Sequence, residues 1–132
     1  MEIYINEIKI LSSITTGLIV AWFGGLDSSF ILLLILMGTD VFTGLMKAWY
    51  QKELNPDKMF FGSMKKMTVF IVIMIATQII RYIGSEIPLR EITIMYYIIQ
   101  EGMSVLENIS IFNSVPDELS EFFEKINNKK ES

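Results

Sequence analysis

Long stretches of apolar residues constrain this chain more than any other feature of its sequence. No charged residue occurs between Lys9 and Asp27, and the segment from Ser28 to Tyr50 is mostly aliphatic. A helix that crosses a bilayer needs about 20 mostly apolar residues. A chain of 132 residues, of which 52% are hydrophobic, has too small an interior to bury that much apolar surface in water. The sequence therefore predicts an all-α integral membrane protein.

Three or four transmembrane helices are predicted, and the whole chain forms a single membrane domain. The spans are placed at about residues 8–23, 28–50, 64–83 and 92–112. The third is short, and the long side chains of Lys66 and Arg81 at its ends are expected to snorkel to the interface. The fourth is interrupted by Glu101 and Glu107, so the number of spans stays open between three and four.

A different pattern follows Pro116. Leu119, Phe122, Phe123 and Ile126 recur at helical spacing and give one apolar stripe. This spacing predicts a short amphipathic helix at about residues 116–127, lying on the membrane surface or on a partner helix. A frayed polar tail with incidental spacing is the alternative.

The distribution of Lys and Arg predicts the orientation, because these residues prefer the cytoplasmic side of a membrane. The basic residues between the second and third spans are Lys47, Lys52, Lys58, Lys65 and Lys66. We expect this segment, and with it the N-terminus, on the cytoplasmic side of a bacterial cytoplasmic membrane. Four spans also keep the lysine-rich tail inside, whereas three would place it outside. The rule thus favours four.

The composition excludes several classes of function. A net charge of −4 provides no basic field to hold nucleic acid. Cys and His are both absent, which removes thiolate nucleophiles, imidazole bases and nearly all zinc sites. No phosphate loop or nucleophile elbow is visible. We therefore expect no enzyme, no metal site and no cofactor.

Two polar stripes inside the apolar helices are the candidate functional site. A charged side chain at the centre of a bilayer costs about 2.5 to 3.5 kcal/mol on insertion scales. If there are four spans, the second and fourth run in the same direction, so Asp40 and Glu101 lie at equal depth. The stripes consist of Asp40, Thr43, Gly44 and Lys47 on the second span and of Glu101, Ser104, Glu107 and Asn108 on the fourth.

These stripes support two interpretations. They line an aqueous path or meet between subunits, or a protonated acid bonded to a hydroxyl only fixes the register of the helices. Glu107 reaches almost the level of Lys47, so these two residues are expected to be able to pair. The third span also contains Thr68, Thr77 and Gln78, which share no clear face, and no role is assigned to them.

Small residues at four-residue spacing mark the first span. Ser13, Gly17 and Ala21 form a ribbon that permits close approach of another helix. Packing within the chain and contact between copies are equally compatible with this ribbon.

Several strings of residues resemble one family of membrane proteins. They are the segment 38–49 around Asp40, the Lys65-Lys66 pair, the string Glu101-Gly-Met-Ser-Val-Leu-Glu-Asn108, and Val115-Pro116 before an amphipathic helix. Together, from about residue 24 to 125, they resemble the holins of Gram-positive phage lysis and clostridial toxin export. Gln100 departs from the Asn expected there. Gln78 and Arg81 lie where an acidic residue is common.

The resemblance implies a protein that oligomerises with itself in the lipid bilayer and opens lesions. Through these lesions an endolysin reaches the cell wall, or a large toxin leaves the cell. A small ion- or proton-coupled transporter, in which a membrane carboxylate cycles protons, is the alternative from a different class. An antiholin is a further alternative.

Overall fold

The computed structural model describes residues 1–131, and all regular secondary structure in that range is helical. The helices are α1 (Glu2–Trp22), α2 (Ser28–Tyr50), α3 (Pro56–Ile83), α4 (Leu89–Ser110) and α5 (Asp117–Glu131). The predicted all-α class is confirmed. Both α1 and α3 begin well before the predicted starts of their spans at residues 8 and 64.

Local sequence signals explain where the helices begin and end. The Asp27 side chain caps α2 by accepting a hydrogen bond from the backbone N–H of Phe30. Asn55 caps α3 in the same way, and Pro56 occupies its first turn, where a missing N–H costs nothing. Gly84 ends α3 with a φ of 68°, a left-handed conformation that glycine adopts without strain.

Helices α2, α3 and α4 form a bundle with one apolar core. Its buried side chains are Phe30, Leu33 and Met37 of α2, Val69 and Ile73 of α3, and Ile94 and Ile98 of α4. At one end of the bundle Asp27 bonds to Arg90, and at the other end the rings of Tyr50 and Phe112 pack edge to face at 5.3 Å. Helices α2 and α4 therefore run parallel along their whole length, with α3 antiparallel to both.

Helix α1 has no buried residue and meets the bundle only near its C-terminal end. There Gln78 donates a hydrogen bond to the carbonyl oxygen of Trp22 at 3.0 Å, and Arg81 donates one to that of Ala21 at 2.6 Å. Gln78, to which no role was assigned, thus helps to hold α1. Within residues 1–131 the ribbon of Ser13, Gly17 and Ala21 is exposed along its whole length.

Helix α5 packs against α4 of the same chain. The Phe123 ring fills the space beside Gly102, where an added Cβ would lie 2.7 Å from a ring carbon. Gln100 donates a hydrogen bond to Asn127 at 3.2 Å, so α5 folds back along α4 as far as its middle. The amphipathic helix predicted after Pro116 is present, and its apolar stripe contacts α4 through Phe123.

Three helices, α1, α2 and α3, are long and apolar enough to cross a membrane. Helix α4 has 22 residues but is not one of these three, because Gln100, Glu101, Glu107 and Asn108 interrupt its apolar stretch. Large apolar side chains such as Ile35, Phe42 and Ile75 remain about half exposed on the outside of the bundle. An apolar exterior of this kind fits a lipid environment and confirms a helical membrane protein.

Candidate functional site

An ionic cluster of three side chains lies where α2, α3 and α4 meet. The Lys66 ammonium donates to Oδ2 of Asp40 at 2.6 Å and to Oε2 of Glu101 at 2.7 Å. The Lys66 side chain is 22% exposed, and the two carboxylates are each 12% exposed. One cation from α3 thus bridges one acid from each of the two parallel helices.

Polar groups of α4 complete the cluster. The Ser104 hydroxyl donates to Oδ1 of Asp40 at 2.6 Å, and the Asn108 amide donates to the same oxygen at 2.9 Å. Asn108 also donates to the Thr43 hydroxyl at 3.1 Å. Within the described residues every buried side-chain nitrogen and oxygen has a hydrogen-bond partner. The cluster is therefore a connected network in which no buried polar atom is left unsatisfied.

The helical repeat explains how α4 contributes three groups to one point. Glu101, Ser104 and Asn108 are three and four residues apart, so they share one face of the helix. Opposite them on α2, Gly44 lies next to Asn108, and a Cβ at this position would make an ordinary contact of 3.6 Å with the Asn108 amide nitrogen. Asp40 and Thr43 of the first stripe thus contact Ser104 and Asn108 of the second across the interface between α2 and α4.

The cluster is unbalanced in charge. Two carboxylates face one ammonium, so one bound proton would make the group neutral. Buried charges are tolerated when paired and hydrogen-bonded, and here the second acid depends on the same Lys66. In residues 1–131 no group of three or more acidic side chains is placed to hold a metal ion.

Two residues of the predicted stripes lie outside the cluster. Glu107 is exposed and borders a pocket beside Phe123 of α5. Lys47 borders a different cleft, near Lys58. The predicted pairing of Lys47 with Glu107 is wrong, since no ion pair among residues 1–131 joins them. Lys47 borders a cleft beside the start of α3, whereas Glu107 borders a pocket beside α5.

Lys66, which the sequence led us to expect only at the membrane interface, is instead the central cation of the cluster. A signal was nevertheless present. Lys66 continues the buried face of α3 that contains Val69, Ile73 and Ala76, whereas its neighbour Lys65 lies on the exposed side above the Phe61 ring. A lysine in register with an apolar stripe needs an internal acceptor.

Arg90 forms a second charged layer at the end of the bundle where α2 and α4 begin. Its guanidinium donates to the carbonyl oxygens of Phe23 at 2.5 Å and Gly25 at 3.0 Å, and to the Asp27 carboxylate at 2.7 Å. Arg90 is only 6% exposed. The hydrogen bond from Arg90 to the Asp27 carboxylate lowers the pKa of Asp27 to about 2. Arg90 therefore fixes the turn between α1 and α2 onto the start of α4.

Gly24 makes room for the Arg90 side chain. Its φ is 83°, and a Cβ at this position would lie 2.5 Å from Nε of Arg90. The adjacent Gly25 has a φ of 102° with open space around it. Only the first glycine is required both for its backbone conformation and for the space that it leaves.

Comparison with known proteins finds similarity to one family over most of the chain. The model of the bacteriophage holin family matches residues 17–128. An uncharacterized 14.9 kDa protein in the nagH 3′ region of Clostridium perfringens is 32% identical over 98% of this chain and 100% of its own length. A probable holin of Bacillus phage phi105 is 37% identical over 60% of this chain and 58% of its own length. No solved structure matches this chain.

Proposed function

Because this chain belongs to the bacteriophage holin family, we propose that it oligomerises in the bacterial cytoplasmic membrane and opens lesions there. The lesions release an endolysin to the cell wall or a large toxin from the cell. In this proposal α4 is a fourth span, and the N-terminus and the tail both lie on the cytoplasmic side.

The observation that carries this proposal is the ionic cluster of Asp40, Lys66 and Glu101 within apolar helices. Polar groups inside a membrane helix need partners or water. In the isolated subunit they satisfy one another, which suits a protein that accumulates without damaging the membrane. When the helices separate, the same groups need a neighbouring copy or water, and either outcome favours an assembly with a wet interior.

The packing of α4 supports its assignment as a span. It lies parallel to α2 over the full length of the bundle, and its polar residues Glu101, Ser104 and Asn108 face inward. A helix too polar to enter lipid alone can cross a membrane when its partners cover its polar face. Asp40 and Lys66 provide that cover.

The test is the timing of lysis in cells that express the chain together with an endolysin. Asp40→Asn and Glu101→Gln each remove one acid from the cluster while preserving shape, so we expect both to shift the onset of lysis. Glu107→Gln is the matched control, because it removes an exposed acid from the same helix and leaves the cluster intact. Wild-type timing in both cluster variants would remove the cluster from the mechanism.

The same cells separate the alternative functions. We expect lysis to coincide with leakage of a folded cytoplasmic enzyme, because a lesion passes macromolecules. A small transporter would retain that enzyme. An antiholin would cause no lysis with the endolysin alone and would delay lysis caused by another holin.

A further inference from the structure

We propose that water reaches the ionic cluster from one side of the membrane only, the side of the segment between α2 and α3. The route is a cleft between these two helices. This inference rests on the proposed function in one respect, since it takes the bundle to cross a membrane, and it concerns the access of solvent to the same cluster.

The cleft begins at the cluster. It has a volume of about 330 Å³, and its lining includes Asp40, Lys66, Ser104 and Asn108. Small residues of α2 and α3, Gly44 and Gly62 among them, leave this space between the helices. At about 30 Å³ for each water in the liquid, the volume holds on the order of ten molecules. Most of the lining is apolar, but Asp40, Lys66, Ser104 and Asn108 offer hydrogen-bonding groups to the cleft, and these groups favour hydration beside the cluster.

A second cleft continues the first to the end of the bundle. It has a volume of about 270 Å³ and shares the lining residues Gly44, Ala48, Met59 and Asn108 with the first. Its far end is lined by Gln51, Glu53, Asn55 and Lys58. The two clefts therefore form a continuous groove from the loop between α2 and α3 to the cluster, with polar residues at both ends.

The opposite half of the bundle is closed. Leu33, Ile73 and Ile94 are fully buried beyond the cluster. Further along, the rings of Phe23 and Phe30 stack at 5.5 Å, and Phe70 packs edge-on against both. From Asp40 back to Asp27 this closed part is about 20 Å long, by the rise of about 1.5 Å per residue.

Helix α5 provides independent support. It carries Glu121, Glu124 and Lys125 on exposed positions, and charged side chains of this kind require water or headgroups. The hydrogen bond between Gln100 and Asn127 places α5 alongside α4 up to the residue before Glu101. Water that solvates α5 therefore extends to the height of the cluster. It enters from the same face of the membrane as the water in the cleft.

The natural absence of cysteine makes a direct test possible. Single cysteines are placed in the full chain, and membrane vesicles of both orientations are treated with a charged, membrane-impermeant thiol reagent. Ser104→Cys probes the cluster. Ser63→Cys probes the cleft without disturbing the cluster, because the Ser63 hydroxyl bonds only to the backbone of its own helix at Met59.

Three reference positions calibrate the labelling. Gln51→Cys marks the loop between α2 and α3, Ser85→Cys marks the opposite end of the bundle, and Ala76→Cys lies in the closed half, where Ala76 is 4% exposed. We expect Ser63→Cys and Ser104→Cys to react from the face that labels Gln51→Cys and from no other. Ala76→Cys should stay unlabelled from both faces.

Labelling of the cleft positions from the face of Ser85→Cys, or from neither face, would overturn the proposal. The assay needs no endolysin and no lysis, so its outcome is separate from the timing experiment. A chain with normal lysis and an unreactive cleft would refute one-sided access alone. A chain with one-sided labelling and no lysis would refute the holin activity alone.

Discussion

The two charged layers of the bundle use different chemistry for superficially similar ion pairs. At one end, Arg90 bonds to two backbone carbonyl oxygens and to Asp27, whose side chain is 46% exposed. Within the bundle, Lys66 bonds to Asp40 and Glu101, which are each 12% exposed. The first layer lies at helix ends, and the second lies in the middle of all three helices.

The difference teaches which layer is able to change state. The planar guanidinium of Arg90 has fixed donor directions that suit carbonyl and carboxylate oxygens, and carbonyl oxygens do not titrate. Both main partners of Lys66 are carboxylates that can each take a proton, and the lysine itself is a mobile point charge. The Arg90 layer is therefore a permanent clamp. The Lys66 cluster, in contrast, can change its charge and its hydrogen bonds when a carboxylate takes up a proton.

Removal of the central cation should have the largest effect. Lys66→Met leaves two largely buried carboxylates facing each other, and loss of one partner of a buried ion pair costs about 3 to 5 kcal/mol. We expect a fall of that size in the free energy of unfolding, measured by denaturation in detergent micelles.

Lys65→Met is the matched control. It removes the adjacent lysine, which is exposed and contacts only the Phe61 ring among the described interactions, so its effect should stay below about 1 kcal/mol. Equal stabilities for the two variants would show that the cluster contributes nothing to the packing of the bundle.

A substitution at the clamp should have an intermediate effect. Gly24→Ala and Gly25→Ala both place a Cβ on a residue with positive φ, which costs about 1 to 2 kcal/mol. Only Gly24→Ala also drives that Cβ into the Arg90 side chain. We expect it to be the more destabilising by about 1 kcal/mol or more, and the same unfolding assay measures the difference. If the two variants are equal, the guanidinium is not held where the structure places it.

The smallest effect should be the acid sensitivity of the clamp. The pKa of Asp27 falls from its ordinary 3.8 to about 2 in the folded protein. Because the folded-state pKa is the lower one, Asp27 contributes its full stabilisation above about pH 5, and the contribution is lost as the pH falls towards 2.

Wild type should be more stable than the Asp27→Asn variant near neutral pH. This difference in the free energy of unfolding should therefore shrink as the pH is lowered through this range. Unfolding curves in detergent between pH 6 and pH 2 measure it. A stability difference that is constant over the whole range would contradict the assigned ion pair.

The sequence predicted those features that depend on near neighbours. The amphipathic helix after Pro116 was predicted from a local apolar stripe, and the spacing of Glu101, Ser104 and Asn108 defines one helix face. The resemblance to holins, which rests on such strings, is confirmed by the family match.

The features that the sequence did not reveal depend on tertiary distance. Lys66 bonds to residues 26 and 35 positions away, and Arg90 bonds to Asp27 across 63 positions. Neither partner can be chosen from one sequence, because several acids were available to each cation. The sequence also did not predict that α1 would leave its small-residue ribbon exposed, because such a ribbon suits packing within a chain as well as contact between copies.

The attachment of α1 has a consequence for how such chains can diverge. Gln78, Arg81 and Arg90 all hold the end of α1 and its turn through main-chain oxygens of Trp22, Ala21, Phe23 and Gly25. Every amino acid supplies such an oxygen, so substitutions of the α1 side chains should have little effect on how α1 is anchored. Substitutions of the three donors Gln78, Arg81 and Arg90 are therefore the ones expected to loosen this joint.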